Sequence, residues 1–304
     1  MRLRLLSLAA AAATALALGG APAIADPLPA EPTYYVSLGD SLATGYQPDT
    51  KTNENFAYTD RIFAALSASE PTLQHIRLGC PGETTETMMN GGRCSYPDAT
   101  SQLDAATKFL SAHRGQVRYV SEGIGGNDVN RCLSGGSGSA GLPDLGCITD
   151  ALATIGKNIA AMNKQLSGAA GEGVSFVGMT YYNPALAGWL GGGTGRLMAN
   201  ATAAANNVLS ATIAGANASA GWKTADIAAA FSNNDFGNTV DVPGFGPLPK
   251  NVAQICLWTW MCSSYKDIHA NKTGHQVMAD TFVPILTGES PGLGSGSAGS
   301  GSAR

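Results

Sequence analysis

Ser41, in Gly39-Asp40-Ser41-Leu42, directly follows the apolar run Tyr34-Tyr35-Val36-Ser37-Leu38. The run reads as a short buried strand. A serine just past the carboxyl end of a first strand lies where an open α/β sheet puts its chemistry. A serine hydroxyl is a weak nucleophile until a base takes its proton and a further group orients that base. The chain has four histidines, His75, His113, His269 and His275. His75 lies near the second expected strand. His113 ends an expected helix, where a cation complements the dipole, and His275 falls inside the last one. His269 stands in a loop beside Asp267 and is the best candidate base.

A tetrahedral intermediate needs donors for its oxyanion. Three are expected: the Ser41 backbone N–H, the backbone at Gly82, which has no side chain to block close approach, and the Asn127 amide in Gly125-Gly126-Asn127-Asp128. Each of these glycines, taken singly, also reads as a plain turn. Together the donors follow neighbouring expected strands, so they should converge. A helix is expected soon after Ser41, with its N–H groups aimed at the same spot. Asp40 is expected to support its own turn, and Asp128 to brace Asn127.

The elements that must position these groups follow from periodicity and breakers. Strands are expected at residues 34–38, 73–78, 117–121, 174–178 and 222–225. Helices are expected at 55–69, 98–112 with Asp98 as N-cap, 148–166, 194–218 and 273–286. Strands alternating with helices give a parallel sheet covered on both faces, and right-handed crossovers leave few topologies. The fold class is therefore α/β, a three-layer α/β/α sandwich of flavodoxin-like style with a central parallel sheet of about five strands. Residues 231–264 read as a long irregular, apolar stretch, and loops of that length are often functional. Trp189, Leu190, Phe245 and residues 258–261 are expected to line an apolar groove; filling the core is the alternative use of these side chains.

Composition sets the frame. Met1-Arg2-Leu3-Arg4, an apolar run to Gly20 and Ala23-Ile24-Ala25 form a secretory signal pattern over residues 1–25, with an uncleaved anchor as the alternative. Residues 26–288 suffice for one domain. Residues 289–304, rich in Gly and Ser, read as a flexible tail. The net charge of −4 offers no basic stripe for nucleic acid. No later stretch is long and apolar enough for stable membrane insertion. Six cysteines behind an export signal imply disulfides. Sequential pairs are expected, Cys80–Cys94, Cys132–Cys147 and Cys256–Cys262, because each closes a local loop. Zinc is disfavoured, since no C-x-x-C occurs and no histidine stands at ligand spacing from a cysteine pair.

Four blocks in order carry a resemblance. Gly39-Asp40-Ser41-Leu42, Gly82 within Cys80-Pro81-Gly82-Glu83-Thr84-Thr85, Gly125-Gly126-Asn127-Asp128 and Asp267-Ile268-His269 together resemble the GDSL or SGNH hydrolases. Within that family the chain resembles secreted actinobacterial esterases and lipases with three disulfides. The resemblance implies ester hydrolysis through an acyl-enzyme. Ser41 would attack, His269 would act as base, and Ser41, Gly82 and Asn127 would hold the oxyanion, with no metal or organic cofactor. With the leader pattern and the expected apolar groove, a secreted monomer acting on a small-molecule or lipid ester is expected, fatty-acyl esters first. A glycan deacetylase and a non-catalytic surface-binding module are the alternatives. The chain departs from the family at two places. The usual acid position holds Lys266, and Ala270 stands where proline often follows the histidine. Either the Asp267 carboxylate orients His269 or a backbone carbonyl near Asp267 does so; the carboxylate is favoured because an ion pair stabilises imidazolium more strongly.

Overall fold

The computed structural model describes residues 31–134 and 145–288. The expected leader and tail lie outside the described residues. Five strands form one sheet: β1 (Thr33–Gly39), β2 (Leu73–Arg77), β3 (Val117–Gly123), β4 (Ser175–Met179) and β5 (Lys223–Ala225). Their order is β2-β1-β3-β4-β5, and every pairing is parallel. Val36 faces Ile76 on one side and Val120 on the other, and Gly39 faces Gly123. Tyr35, Val36 and Val120 are all fully buried, as expected of strands covered on both faces.

The helices are α1 (Ser41–Thr44), α2 (Tyr58–Ser67), α3 (Thr85–Asn90), α4 (Gln102–Ala112), α5 (Gly126–Ser134), α6 (Leu145–Ala170), α7 (Gly192–Ser219), α8 (Ile227–Ala230), α9 (Lys250–Trp258) and α10 (Lys272–Thr287). The chain steps from β1 to β2 in one direction and from β2 through β5 in the other. Right-handed crossovers therefore set α2 on one face and α4, α6 and α7 on the opposite face. α10 packs against α2 and completes the first layer. The stripe Ala151, Ile155, Ile159, Met162 and Leu166 on α6 is fully buried at helical spacing. Strand order reverses between β1 and β3, so the crevice for chemistry lies beyond their carboxyl ends.

Three local expectations need correction. α4 starts at Gln102, and its N-cap is Ser101, whose Oγ accepts from the Asp104 N–H at 3.1 Å. Asp98 instead sits upstream in a left-handed turn with φ 55°. The helix after Ser41 is a single turn, stopped by Gly45 at φ 74°. The stretch 231–264 is not irregular throughout: it holds a hairpin, Thr239–Val242 with Gly246–Pro249, and then α9. Val252, Ala253 and Ile255 bury one side of α9, a period hidden inside a nearly continuous apolar run. The disulfides join Cys80 to Cys94, Cys132 to Cys147 and Cys256 to Cys262. No helix among the described residues is long and apolar enough to cross a membrane.

Candidate active site

The turn that presents Ser41 depends on Gly39 at the end of β1. Its φ is +135°, and a Cβ there would stand 2.4 Å from the Gly123 carbonyl oxygen on β3. Only glycine takes this backbone with that neighbour. Asp40 then caps the single turn of α1. Its Oδ1 accepts from the Leu42 N–H at 2.9 Å, and its Oδ2 accepts from the Tyr181 hydroxyl at 2.8 Å. Burial pushes the Asp40 carboxyl up to about 6, against the pull of those two hydrogen bonds. Asp40 thus supports the turn.

His269 and Asp267 arrive on the segment between α9 and α10, which is tied down at several points. The Trp260 N–H donates to the His269 carbonyl at 3.0 Å, and the Asn271 N–H donates to the Trp258 carbonyl at 2.9 Å. The Tyr182 hydroxyl donates to the Ile268 carbonyl at 2.7 Å. Gln47 reaches across with both ends of its amide. Nε2 donates to the Ala270 carbonyl at 3.0 Å, and Oε1 accepts from Trp260 Nε1 at 2.9 Å. The Tyr46 ring lies 4.8 Å from the imidazole, centroid to centroid. The Cys256–Cys262 disulfide closes the adjoining loop.

The result brings Ser41 together with two groups far from it in sequence, His269 and Asp267. His269 Nε2 lies 2.8 Å from Ser41 Oγ, and Nδ1 lies 2.6 Å from Asp267 Oδ1. The same carboxylate oxygen accepts from the His269 backbone N–H at 2.9 Å. Burial pushes the Asp267 carboxyl up, but the two His269 hydrogen bonds and the imidazole charge together hold it below the ordinary carboxylate range. A carboxylate only accepts, so the proton belongs on Nδ1, and Nε2 is free to accept from the serine hydroxyl. Lys266, at the position the family pattern gives to the acid, takes a left-handed turn with φ 48° just before Asp267.

Of the expected oxyanion donors, Asn127 sits in the first turn of α5. Its Nδ2 donates to the Glu83 carbonyl at 2.9 Å, which uses one of two amide hydrogens. Gly82 has φ +75°, and a Cβ there would stand 2.1 Å from Arg93 Nη2. Its loop is tied to β1 through the Cys80 N–H, which donates to the Gly39 carbonyl at 2.9 Å. Asp128 does not brace Asn127 itself; it accepts from the Thr85 N–H at 3.0 Å and the Thr85 hydroxyl at 2.6 Å, joining α5 to α3.

A cavity of about 120 Å3 opens beside Ser41 and His269. Val129, Ile148, Leu152, Tyr181 and Leu209 give it a largely hydrocarbon wall, and Ala205 of α7 also lines it. Gly82 is not among its lining residues. The expected groove side chains lie elsewhere. Trp189 packs on Phe236, Trp258 meets Phe231 edge-on, and Phe245 is exposed at a hairpin. The other histidines are occupied. His75 Nε2 pairs with Ser37 Oγ at 2.8 Å, and His275 Nδ1 accepts from the Tyr58 N–H at 3.1 Å. Burial pushes both down to about 3. His113 caps α4, with Nδ1 2.9 Å from the Phe109 carbonyl. Tyr181, Tyr182 and Gln47 were not foreseen. Tyr181-Tyr182 follow the carboxyl end of β4, so the rule that found Ser41 also points to them.

One solved structure supports this fold, and two others are similar to the chain at lower scores. An extracellular lipase from Streptomyces rimosus is 19% identical over 85% of this chain and 100% of its own, with a TM-score of 0.50. Phospholipase A1 from Streptomyces albidoflavus is 18% identical over 85% of this chain and 100% of its own, with a TM-score of 0.48. An acetylxylan esterase from Geobacillus stearothermophilus is 14% identical over 84% of this chain and 94% of its own, with a TM-score of 0.47. No curated protein sequence matches. The model of the GDSL-like lipase/acylhydrolase family matches residues 37–277, from inside β1 to inside α10. That span covers most of the chain and at least part of every element described above, so the chain belongs to the GDSL-like lipase/acylhydrolase family and is a carboxylic ester hydrolase.

Proposed function

We propose that the protein is a secreted serine hydrolase that cleaves fatty-acyl esters through an acyl-enzyme. Ser41 Oγ attacks the ester carbonyl as His269 Nε2 takes its proton, and His269 returns that proton to the departing alcohol. The Asp267 carboxylate holds the imidazole tautomer and balances the imidazolium. The Ser41 N–H, the Gly82 N–H and the second Asn127 amide hydrogen stabilise the oxyanion. Water then releases the acid by the reverse sequence. The observation that carries this reading is the continuous contact from Asp267 through His269 to Ser41, at 2.6 and 2.8 Å, at the edge of a largely hydrocarbon cavity.

Fatty-acyl esters are favoured over acetylated glycans because the exposed wall of this cavity is mostly carbon, although Asn130, Asn183, Thr202 and Asn206 also line it. Residues 1–25 are read as a leader removed on export, 26–288 as the hydrolase domain and 289–304 as a tail, the whole acting as a monomer. Three disulfides suit an oxidising compartment. The test is a panel of p-nitrophenyl esters from acetyl to palmitoyl, with a phospholipid and acetylated xylan. Turnover of medium or long acyl chains that Ser41→Ala abolishes is expected. Activity on acetylated xylan alone would replace the fatty-acyl reading with the glycan one.

A further inference from the structure

Gln102, the first residue of α4, is fully buried, and the reaction described above makes no use of it. Its Oε1 accepts from the Gly39 N–H at 2.6 Å. Its Nε2 donates to the Gly39 carbonyl at 3.1 Å and to Glu83 Oε2 at 3.0 Å. One side chain therefore holds both backbone groups of the glycine that turns the chain toward Ser41. The same side chain holds the carboxyl of the residue after Gly82. Glu83 extends the connection, since its carbonyl accepts from Asn127 Nδ2 at 2.9 Å. The nucleophile turn, the Gly82 loop and Asn127 are thus joined through one buried pair.

Stability alone is a poor reason for this arrangement. Gln102 uses both amide hydrogens and its oxygen, but Glu83 does not match it. Glu83 is 1% exposed, and its Oε1 has no partner. Burial pushes the Glu83 carboxyl up. A buried, incompletely paired carboxyl costs stability, and well-packed apolar side chains of similar volume are often at least as stable. A polar pair in this place does one thing that an apolar pair does not: it fixes spacing and direction. Oxyanion stabilisation is sensitive to both, because donors must lie within hydrogen-bond distance of a position occupied only in the transition state.

We infer that Gln102 is a positioning residue, acting with Glu83 to set the spacing between the Ser41 turn and the oxyanion donors at Gly82 and Asn127. The inference rests on the acyl-enzyme reading given above. Gln102→Met keeps most of the volume and removes the hydrogen bonds. With p-nitrophenyl butyrate its kcat should fall roughly 10- to 100-fold while KM stays within about threefold, as expected for lost alignment in the transition state. Combined with Asn127→Ala, the loss should be smaller than the product of the single losses, because both changes act on one oxyanion. Unchanged kcat in the folded variant, a loss carried by KM, or fully multiplicative losses would each overturn the inference. If Gln102→Met does not fold, Gln102→Glu keeps the acceptor for the Gly39 N–H, leaves at most one donor where there were two and is judged by the same readouts. Ser41→Ala is assayed alongside: wild-type turnover in that variant would remove the acyl-enzyme reading itself, whatever Gln102 does.

Discussion

At Asp267 the residue pattern left two acceptors open, a carboxylate and a backbone carbonyl. The contact of 2.6 Å from Asp267 Oδ1 to His269 Nδ1 favours the carboxylate. Asp267→Asn is therefore expected to lower kcat by about 10^2- to 10^4-fold with little change in KM, as loss of the correct tautomer does in other triads. A loss of only a few fold, measured by steady-state kinetics, would return the role to a carbonyl. Ser41 and His269, the nucleophile and base proposed above, stood out in the sequence because their residue types can carry that chemistry, and the structure places them 2.8 Å apart. Gln102 and Tyr182 were not, because neither type is diagnostic. Their roles come only from partners distant in sequence, Gly39 for Gln102 and Ile268 for Tyr182. Ala205 lines the cavity from α7, and its replacement adds bulk where an acyl chain would lie. Ala205→Trp should cut kcat/KM for palmitoyl esters at least about tenfold more than for acetyl esters, a ratio the same ester panel measures.

Among the elements, the segment between α9 and α10 holds His269 by main-chain bonds and one short disulfide loop. Replacing Cys256 and Cys262 together by serine frees the loop that contains Trp258 and Trp260. The Trp260 N–H donates to the His269 carbonyl, so the imidazole should lose its fixed position. The double serine variant is expected to lose roughly tenfold or more in kcat at a temperature where circular dichroism still reports a folded sheet. Activity that falls only with global unfolding would contradict that role. The strands and long helices of this layer system were legible because their apolar periods are unmixed. Helix α9 was not, since its stripe lies in a run where nearly every neighbour is also apolar. The short helices α3 and α5 escaped for another reason: Thr84 caps α3 from within a turn-like sequence, and α5 begins at Gly126, a residue that normally breaks helices.

Over the whole molecule, buried ionisable groups give opposite pH responses. Burial pushes Glu122 up to about 8, from an ordinary 4.5. The folded chain keeps this proton after the unfolded chain has released it, so this group favours folding at low pH and disfavours it increasingly as pH rises toward 8. Glu122→Gln should therefore raise Tm more at pH 8 than at pH 5, as scanning calorimetry reads it; an equal shift at both would contradict the assignment. His275 is pushed down to about 3 from an ordinary 6.5, again mainly by burial. Here the unfolded chain takes up a proton that the folded chain refuses, so stability falls as pH drops from 6.5 toward 3. The topology that brings the first and last elements together is also a whole-molecule property. Alternation and crossover handedness narrowed the topologies but gave no strand order, which the structure supplies together with the 2.8 Å separation of Ser41 and His269. That contact is best tested by the rate at which a fluorophosphonate modifies the intact chain, with the adduct mapped by mass spectrometry. A single adduct on Ser41, formed at least about a hundredfold more slowly in His269→Ala, is the expected result. Labelling at another residue, or a rate that His269→Ala leaves unchanged, would contradict the account.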